Sequence, residues 1–141
     1  MSRAFLERIS MEDLTRITIG DATYPIKIDL NVLEKIQNEY GSINEFEREI
    51  LGLHYVKDEE GNQMYEDGKP VIIQKEPSIK AIKTVLPAMI NEGLEIEAER
   101  NRTEFIPVSN TEIISQCSIP YKMLAKIIHE EFKRCFSTKK I

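Results

Sequence analysis

The sequence predicts a predominantly helical α+β fold, with a short N-terminal β-hairpin, about five helices and a small β excursion in the middle of the chain. Three observations predict it. Apolar residues alternate on both sides of a Gly20-Asp21-Ala22 turn, as they do in a hairpin. In later segments they recur every three or four positions, as on the buried face of a helix. Between these segments, residues 53–76 contain closely spaced turn signals.

The predicted hairpin pairs Ile17-Thr18-Ile19 with a return strand from Tyr24 to Ile28. Successive side chains of a strand point to opposite faces, so alternate residues would share the buried face. These residues are Ile17, Ile19, Tyr24, Ile26 and Ile28. Pro25 has no N–H to donate, which predicts that the return strand is an edge strand or that this position faces outward.

Two helices are predicted directly after the hairpin. Asp29 is a good N-cap for a helix that begins at Leu30, and Gly41 suits the left-handed position after its end. Ser42-Ile43-Asn44-Glu45 is a capping-box sequence that begins the second helix. The predicted buried faces are Val32, Leu33, Ile36 and Tyr40 in the first helix, and Ile43, Phe46, Ile50 and Leu51 in the second.

Residues 53–76 are predicted to project from the domain as a β excursion. Three short apolar runs, His54–Val56, Gln63–Tyr65 and Val71–Ile73, could be the strands of a meander. Acidic and Gly-containing turns separate them, at 58–62 and 67–70. Such an excursion is either a binding element or a tolerated insertion, and the residues alone leave both interpretations open.

The longest helix is predicted to begin at Pro77-Ser78. Pro87 lies inside it and predicts a kink, because proline lacks the N–H of the helical hydrogen bond. Asn91-Glu92-Gly93 would end this helix or weaken it. A short helix is predicted over 109–116 and a final one after Pro120. The predicted buried faces are Ile79, Ile82, Val85, Leu86, Met89 and Ile90, then Tyr121, Leu124, Ile127, Ile128, Phe132, Cys135 and Phe136.

Length and hydropathy predict a single cytoplasmic domain over 1–141. Residues 1–14 carry only a weak helical pattern and are predicted to be a loosely attached arm, and residues 137–141 a flexible tail. No apolar run approaches the roughly 20 residues that cross a bilayer, so no membrane partner is expected. Cys117 and Cys135 lie among apolar neighbours and are predicted to be small buried side chains rather than a disulfide.

The charge pattern disfavours nucleic acid as a partner. The net charge is −5, whereas phosphate binding depends on clustered Lys and Arg. Charge is unevenly distributed: residues 57–67 and 92–99 are acidic, and the segment from Lys122 is basic. Blocks of opposite sign suit docking to a partner or to another copy of the chain, although each block alone could be a solvated face.

The residues with catalytic or metal-binding potential do not form a recognisable site. His129 has Lys133 where a zinc helix would need its second His. Glu95, Glu97 and Glu99 would point in different directions on a helix. No phosphate-binding loop or nucleophile motif is present. The sequence therefore disfavours an enzyme and predicts no metal or cofactor.

Three segments of the sequence carry a family resemblance: ITIGDATYPIKIDLNVLEKIQNEYGSINEF, VLPAMINEGLEIEAER and IPYKMLAKIIHEEFKRC. Together they resemble the tail assembly chaperones encoded by long-tailed bacteriophages and by prophages of low-GC Gram-positive bacteria. The resemblance implies a non-enzymatic role in the host cytoplasm, outside the mature virion. Such a chaperone keeps the tape-measure protein soluble and extended while tail-tube subunits polymerise around it. The tail-tube protein and a second copy of the chain are further candidate partners.

That role requires an apolar surface that can hold an amphipathic client. The candidate partner-binding residues lie on the last helix and on the longest helix: Tyr121, Leu124, Ile128 and Phe132, with Val85 and Met89. We expect one face of the last helix to be only partly buried, although the same stripes could simply form the core. A minor structural protein of the phage and a small DNA-binding regulator are the alternative functions.

Overall fold

The computed structural model describes residues 13–137, and within them it confirms the predicted α+β fold. Most of the predicted arm (1–14) and of the predicted tail (137–141) lies outside the described residues. The strands are β1 (Thr15–Ile19), β2 (Ala22–Ile26), β3 (Leu53–Tyr55), β4 (Tyr65–Glu66), β5 (Lys69–Pro70) and β6 (Ile72–Gln74). The helices are α1 (Leu30–Tyr40), α2 (Ile43–Leu51), α3 (Ile79–Asn101), α4 (Asn110–Gln116) and α5 (Tyr121–Arg134).

The hairpin forms with the predicted buried face. Strands β1 and β2 are antiparallel, and Ile17 lies opposite Tyr24. Gly20 begins the two-residue turn with φ +61°, a backbone conformation that glycine adopts without steric cost. The return strand is shorter than predicted and ends at Ile26, because the N–H of Lys27 leaves the ladder and donates to the carbonyl of Met89 in α3, at 3.0 Å.

Side-chain caps begin helices α1 and α2 as the sequence predicts. A carboxylate oxygen of Asp29 accepts the N–H groups of Asn31 and Val32, at 3.1 and 3.3 Å. The Ser42 hydroxyl accepts the N–H of Glu45, at 3.0 Å. Gly41 separates the two helices with φ 78°. A cap of this kind contributes about 1 kcal/mol because it satisfies a helix donor that has no partner within the helix.

Helix α3 continues through Asn91-Glu92-Gly93 to Asn101, so the predicted end of the helix at these residues is wrong. Gly93 is buried, and a Cβ atom there would lie 2.4 Å from the carbonyl oxygen of Pro25 in β2. The glycine therefore allows the hairpin backbone to cross directly against the helix. Pro87 lies buried inside α3, and the kink expected from its missing N–H stays a prediction.

Most of the predicted apolar faces meet in one core. The hairpin and helices α1, α4 and α5 pack against α3, and α2 packs against α1, α3 and α5. Aromatic rings extend this core toward the C-terminus: Phe46 lies 5.6 Å from Phe132, and Phe132 lies 5.1 Å from Phe136, between ring centroids. Ile79 and Phe136 were predicted to be buried but are exposed, because each lies where a helix begins or has just ended.

The segment between α3 and α4 is held by one side chain. The Asn91 amide oxygen accepts the N–H of Val108 at 2.8 Å, and its amide nitrogen donates to the Val108 carbonyl at 3.0 Å. The Asn91 side-chain amide thus forms with the Val108 backbone the two hydrogen bonds that a neighbouring β-strand would form. This contact fixes where α4 begins, and Ile113 of α4 is then fully buried against the core.

Replacing Gly93 with alanine should destabilise the protein by about 2 kcal/mol, because overpacking against the hairpin backbone outweighs the roughly 1 kcal/mol gained from helix propensity. The free energy of unfolding can be measured by urea titration with circular dichroism. Glu99→Ala on the exposed face of the same helix is the control and should change stability by less than about 0.5 kcal/mol. A stabilised Gly93→Ala protein would contradict the close contact.

Candidate functional site

The residues predicted to bind a partner lie mainly in the core. Five of the six are buried: Val85, Met89, Leu124, Ile128 and Phe132. Tyr121 is half-buried. The prediction that this face of the last helix is only partly buried is therefore wrong, because α5 packs this stripe against α2 and α3. In this fold the stripe contributes its buried side chains to the core.

The projecting excursion is the main candidate surface, and its strand pairing differs from the predicted meander. The first and last strands pair with each other: β3 is antiparallel to β6, with Tyr55 opposite Ile72. We call this pair the stem. Beyond it the chain forms two short hairpins, the first arm (57–63), joined at Lys57 and Gln63, and the second arm (65–70), formed by β4 and β5.

A ring of three backbone hydrogen bonds joins the stem to the two arms. The N–H of Val56 donates to the carbonyl of Val71, the N–H of Val71 donates to the carbonyl of Met64, and the N–H of Met64 donates to the carbonyl of Val56. Each N···O distance is 2.9 Å. Each of the three chain segments therefore both donates to and accepts from another. The arrangement depends on backbone bonds rather than on a buried core, since only Val56, Gln63 and Val71 among residues 56–74 are half-buried.

Tight turns close the two arms. In the first arm one carboxylate oxygen of Asp58 accepts the N–H groups of Glu60 and Asn62, both at 2.9 Å. In the second arm Asp67 and Gly68 have φ of 52° and 78°, a region in which Asp and Gly are among the favoured residues. The acidic turn residues at both tips thus adopt specific turn conformations.

The stem is anchored at its root and along one side. Gly52 has φ +72°, and a Cβ there would lie 2.3 Å from the carbonyl oxygen of Lys75. The Lys75 N–H in turn donates to the Gly52 carbonyl at 2.7 Å. On α2, the guanidinium of Arg48 lies 4.4 Å from the centre of the Tyr55 ring. Through these contacts the excursion holds a defined position beside α2.

Exposed apolar side chains are concentrated on this excursion. Half of the large apolar side chains that are exposed in the described residues belong to it: Tyr55, Met64, Tyr65, Ile72 and Ile73. Their exposed fractions range from 37% to 64%. Apolar side chains gathered on a projecting element indicate an interaction surface, whereas single ones scattered over a protein do not. This concentration favours the binding-element interpretation over a tolerated insertion.

Sequence patterns partly indicated this surface. The short apolar runs and acidic turns placed the excursion at 53–76, within two residues of its observed bounds. The exposure of these runs could not be read from the pattern, since an apolar strand of this length can equally be buried. One signal could have identified this exposure. Few neighbouring segments are apolar enough to cover both faces of a two-stranded sheet.

Three ionisable groups outside the excursion have raised pKa values because they are partly buried. Glu92 accepts a hydrogen bond from the Asn31 amide at 3.2 Å and lies beside the Asp29 carboxyl group. Burial, followed by hydrogen bonding to Asp29, raises the pKa of Glu92 from 4.5 to about 6. Burial also raises the pKa of the Tyr40 hydroxyl and of the Cys135 thiol.

The histidines and cysteines have structural environments. His129 lies 3.0 Å from a carboxylate oxygen of Glu47 and joins α5 to α2, while His54 is exposed on the stem. Cys117 and Cys135 are half-buried free thiols. Within residues 13–137, no group of three or more His, Cys, Asp or Glu side chains is arranged to hold a metal ion.

Comparison with known proteins gives no match: no protein-family model, curated protein or solved structure matches the chain. Over the described residues, none of the helices has the length and apolar character to span a membrane.

Because Phe132 is a core residue, Phe132→Ala should lower the free energy of unfolding by about 3 to 5 kcal/mol. Phe136→Ala, which removes an exposed ring one turn later, is the matched control and should cost less than about 1 kcal/mol. Urea unfolding followed by circular dichroism measures both. Equal, small effects would restore the original expectation that this helix face is accessible.

Glu92→Gln should stabilise the protein at pH 8 but not at pH 4. The raised pKa means that the folded state binds the Glu92 proton more tightly than the unfolded state does. Its stabilising contribution is therefore complete below about pH 4.5 and is lost as pH rises through about 6. The glutamine stays neutral, so we expect a gain of about 0.5 kcal/mol at pH 8 after allowing for solvent screening.

Thermal unfolding of the two proteins at several pH values measures this difference. Glu99→Gln, which removes an exposed charge from the same helix, should change stability little and equally at both pH values. If the stability change caused by Glu92→Gln did not depend on pH, that result would contradict the raised pKa of Glu92.

Proposed function

We propose that this chain is a non-enzymatic tail assembly chaperone that binds a tape-measure protein through the projecting excursion. The observation that carries the proposal is the concentration of exposed apolar side chains on a rigidly anchored stem and its arms. A chaperone needs such a surface in the absence of its client, because the client's own apolar residues require a reversible cover.

The chemistry of the excursion suits this task. Tyr55 and Ile72 lie opposite each other on one face of the stem, and Ile73 lies on the other. Apolar contact with a client is favourable by roughly 25 cal/mol for each Å² that is covered. The acidic side chains at both arm tips are exposed, and their charge helps to keep a complex with an apolar client in solution.

The resemblance to tail assembly chaperones supports the narrower part of the proposal. Its three segments correspond to the hairpin with α1 and the start of α2, to most of the second half of α3, and to α5. These elements form the core that holds the excursion. The excursion lies outside all three segments, so the domain frame carries the resemblance and the candidate client-binding surface is additional to it.

The DNA-binding alternative receives little support from the fold. Helix α2 carries Glu45, Glu47 and Glu49 with a single Arg48, and Arg48 is engaged by Glu45 and by the Tyr55 ring. A helix that enters a DNA groove needs basic and amide side chains on its exposed face. A negatively charged helix of this kind would instead repel the phosphates.

Co-expression with the tape-measure protein of the same genome tests the proposal. The native chain should keep the tape-measure protein soluble and co-purify with it. The double variant Ile72→Thr, Ile73→Thr keeps β-branched side chains on the stem but removes apolar surface, and should lower the yield of soluble tape-measure protein at least tenfold. Its free energy of unfolding should stay within about 0.5 kcal/mol of the native value.

Ile106→Thr is the matched control, because Ile106 is 70% exposed but lies outside the excursion. It should leave solubilisation unchanged. Full solubilisation by the double variant would overturn the assignment to the excursion. Failure of the native chain to bind the tape-measure protein would overturn the chaperone proposal, and a fixed number of copies in purified particles would identify a structural protein instead.

A further inference from the structure

A second surface lies between α1, α3 and the beginning of α4. A cavity of about 490 Å³ opens there, and its lining includes Lys35 and Glu39 of α1 with Ile79, Lys80 and Lys83 of α3. A neighbouring cavity of about 350 Å³ shares the Lys83 side of this lining. We call the two together the lysine cleft.

The lining of the lysine cleft carries a net positive charge. Lys35, Lys80 and Lys83 are all exposed, and none forms an ion pair with another residue in the range 13–137. Glu39 is the one acidic residue of the lining. Ile79 is 56% exposed beside them and adds an apolar contact. Three cations around an open cavity suit an acidic segment that also carries an apolar side chain.

The chain itself contains a segment with that chemistry. Glu59 and Glu60 lie in the turn of the first arm, and Glu66 lies in the second arm beside Tyr65. All three carboxylates are exposed and form no ion pair with other residues in the described part of the chain. Tyr65 is 64% exposed. The arms therefore present three free anions and an apolar ring.

We propose that the acidic arms of one copy dock in the lysine cleft of a second copy. Charge complementarity supports the contact: one chain carries both surfaces, and within residues 13–137 neither the three lysines nor the three glutamates form ion pairs. Because the arms and the cleft are different patches, two copies that exchange arms reciprocally form an isologous dimer, whereas one-way docking is heterologous and continues into a ring or a filament. This self-association uses charged residues distinct from Ile72 and Ile73, which the proposed client binding requires.

Sedimentation velocity on the native chain, over a range of protein concentrations, tests the proposal without any client. Association should increase with concentration and weaken at least tenfold between about 50 mM and 500 mM salt, since exposed charges are screened. The cleft variant is Lys35→Glu, Lys80→Glu, Lys83→Glu, and the arm variant is Glu59→Lys, Glu60→Lys, Glu66→Lys. Each alone should remain monomeric.

An equimolar mixture of the cleft variant and the arm variant decides the question. Each variant has one surface with its charge reversed and keeps the other surface native. In the mixture, therefore, the native arms can meet the native cleft and the reversed arms can meet the reversed cleft, both with opposite charges. Association should return in the mixture alone. A native chain that is monomeric at every concentration, or a mixture that stays monomeric, would overturn the proposal.

Matched controls separate this contact from general charge effects. Lys122→Glu, Lys126→Glu, Lys133→Glu reverses three exposed lysines of α5, and Glu34→Lys, Glu95→Lys, Glu99→Lys reverses three exposed acids of α1 and α3. Both should associate as the native chain does, and loss of association in both would overturn the assignment. Circular dichroism verifies folding, and Lys80→Gln, Lys83→Gln provides a milder cleft variant if the triple variant unfolds. The cleft variant leaves every residue of the excursion unchanged, so its loss of self-association should leave client binding unaffected, and the two proposals fail separately.

Discussion

The contact between Gly93 and strand β2 positions much of the remaining structure. With no Cβ in the way, the β2 backbone lies directly against α3, and the Lys27 N–H reaches the Met89 carbonyl. Arg16 of β1 also pairs with Glu97 one turn further along α3. These contacts fix the end of the hairpin, so that Asp29 begins α1 beside the same helix. A side chain at residue 93 would separate the hairpin from α3 and move the start of α1.

The core that grows from this contact takes up most of the apolar side chains of the helices, although Leu30, Ile79 and Met123 stay exposed. Helix α5 packs its apolar stripe into the domain, and the ring of Phe132 lies against Phe46. Buried side chains of this kind stabilise the fold but are unavailable for recognition. The proposed interaction surfaces therefore lie at the periphery. There the excursion keeps its shape through backbone bonds and local turns, and so tolerates exposed apolar residues.

The two proposed surfaces divide the chemistry of binding between them. The stem offers apolar contact, which is strong for each area covered but has little directional preference. The acidic arms and the lysine cleft offer complementary charge, which selects a partner and responds to salt. A protein that holds an apolar client and also contacts its own copies would need both, since charge alone would not cover the client and apolar contact alone would not select the second copy.

Local sequence determined the caps at Asp29 and Ser42, the hairpin and the five helical segments, because each depends on residues within a few positions along the chain. It also placed the excursion and its turns. Only the tertiary structure decided that Gly93 is a contact rather than a helix end, that the first and last strands of the excursion pair, and that the α5 stripe is covered. These outcomes depend on segments distant in sequence: an apolar stripe has the same pattern whether another element packs on it or solvent does.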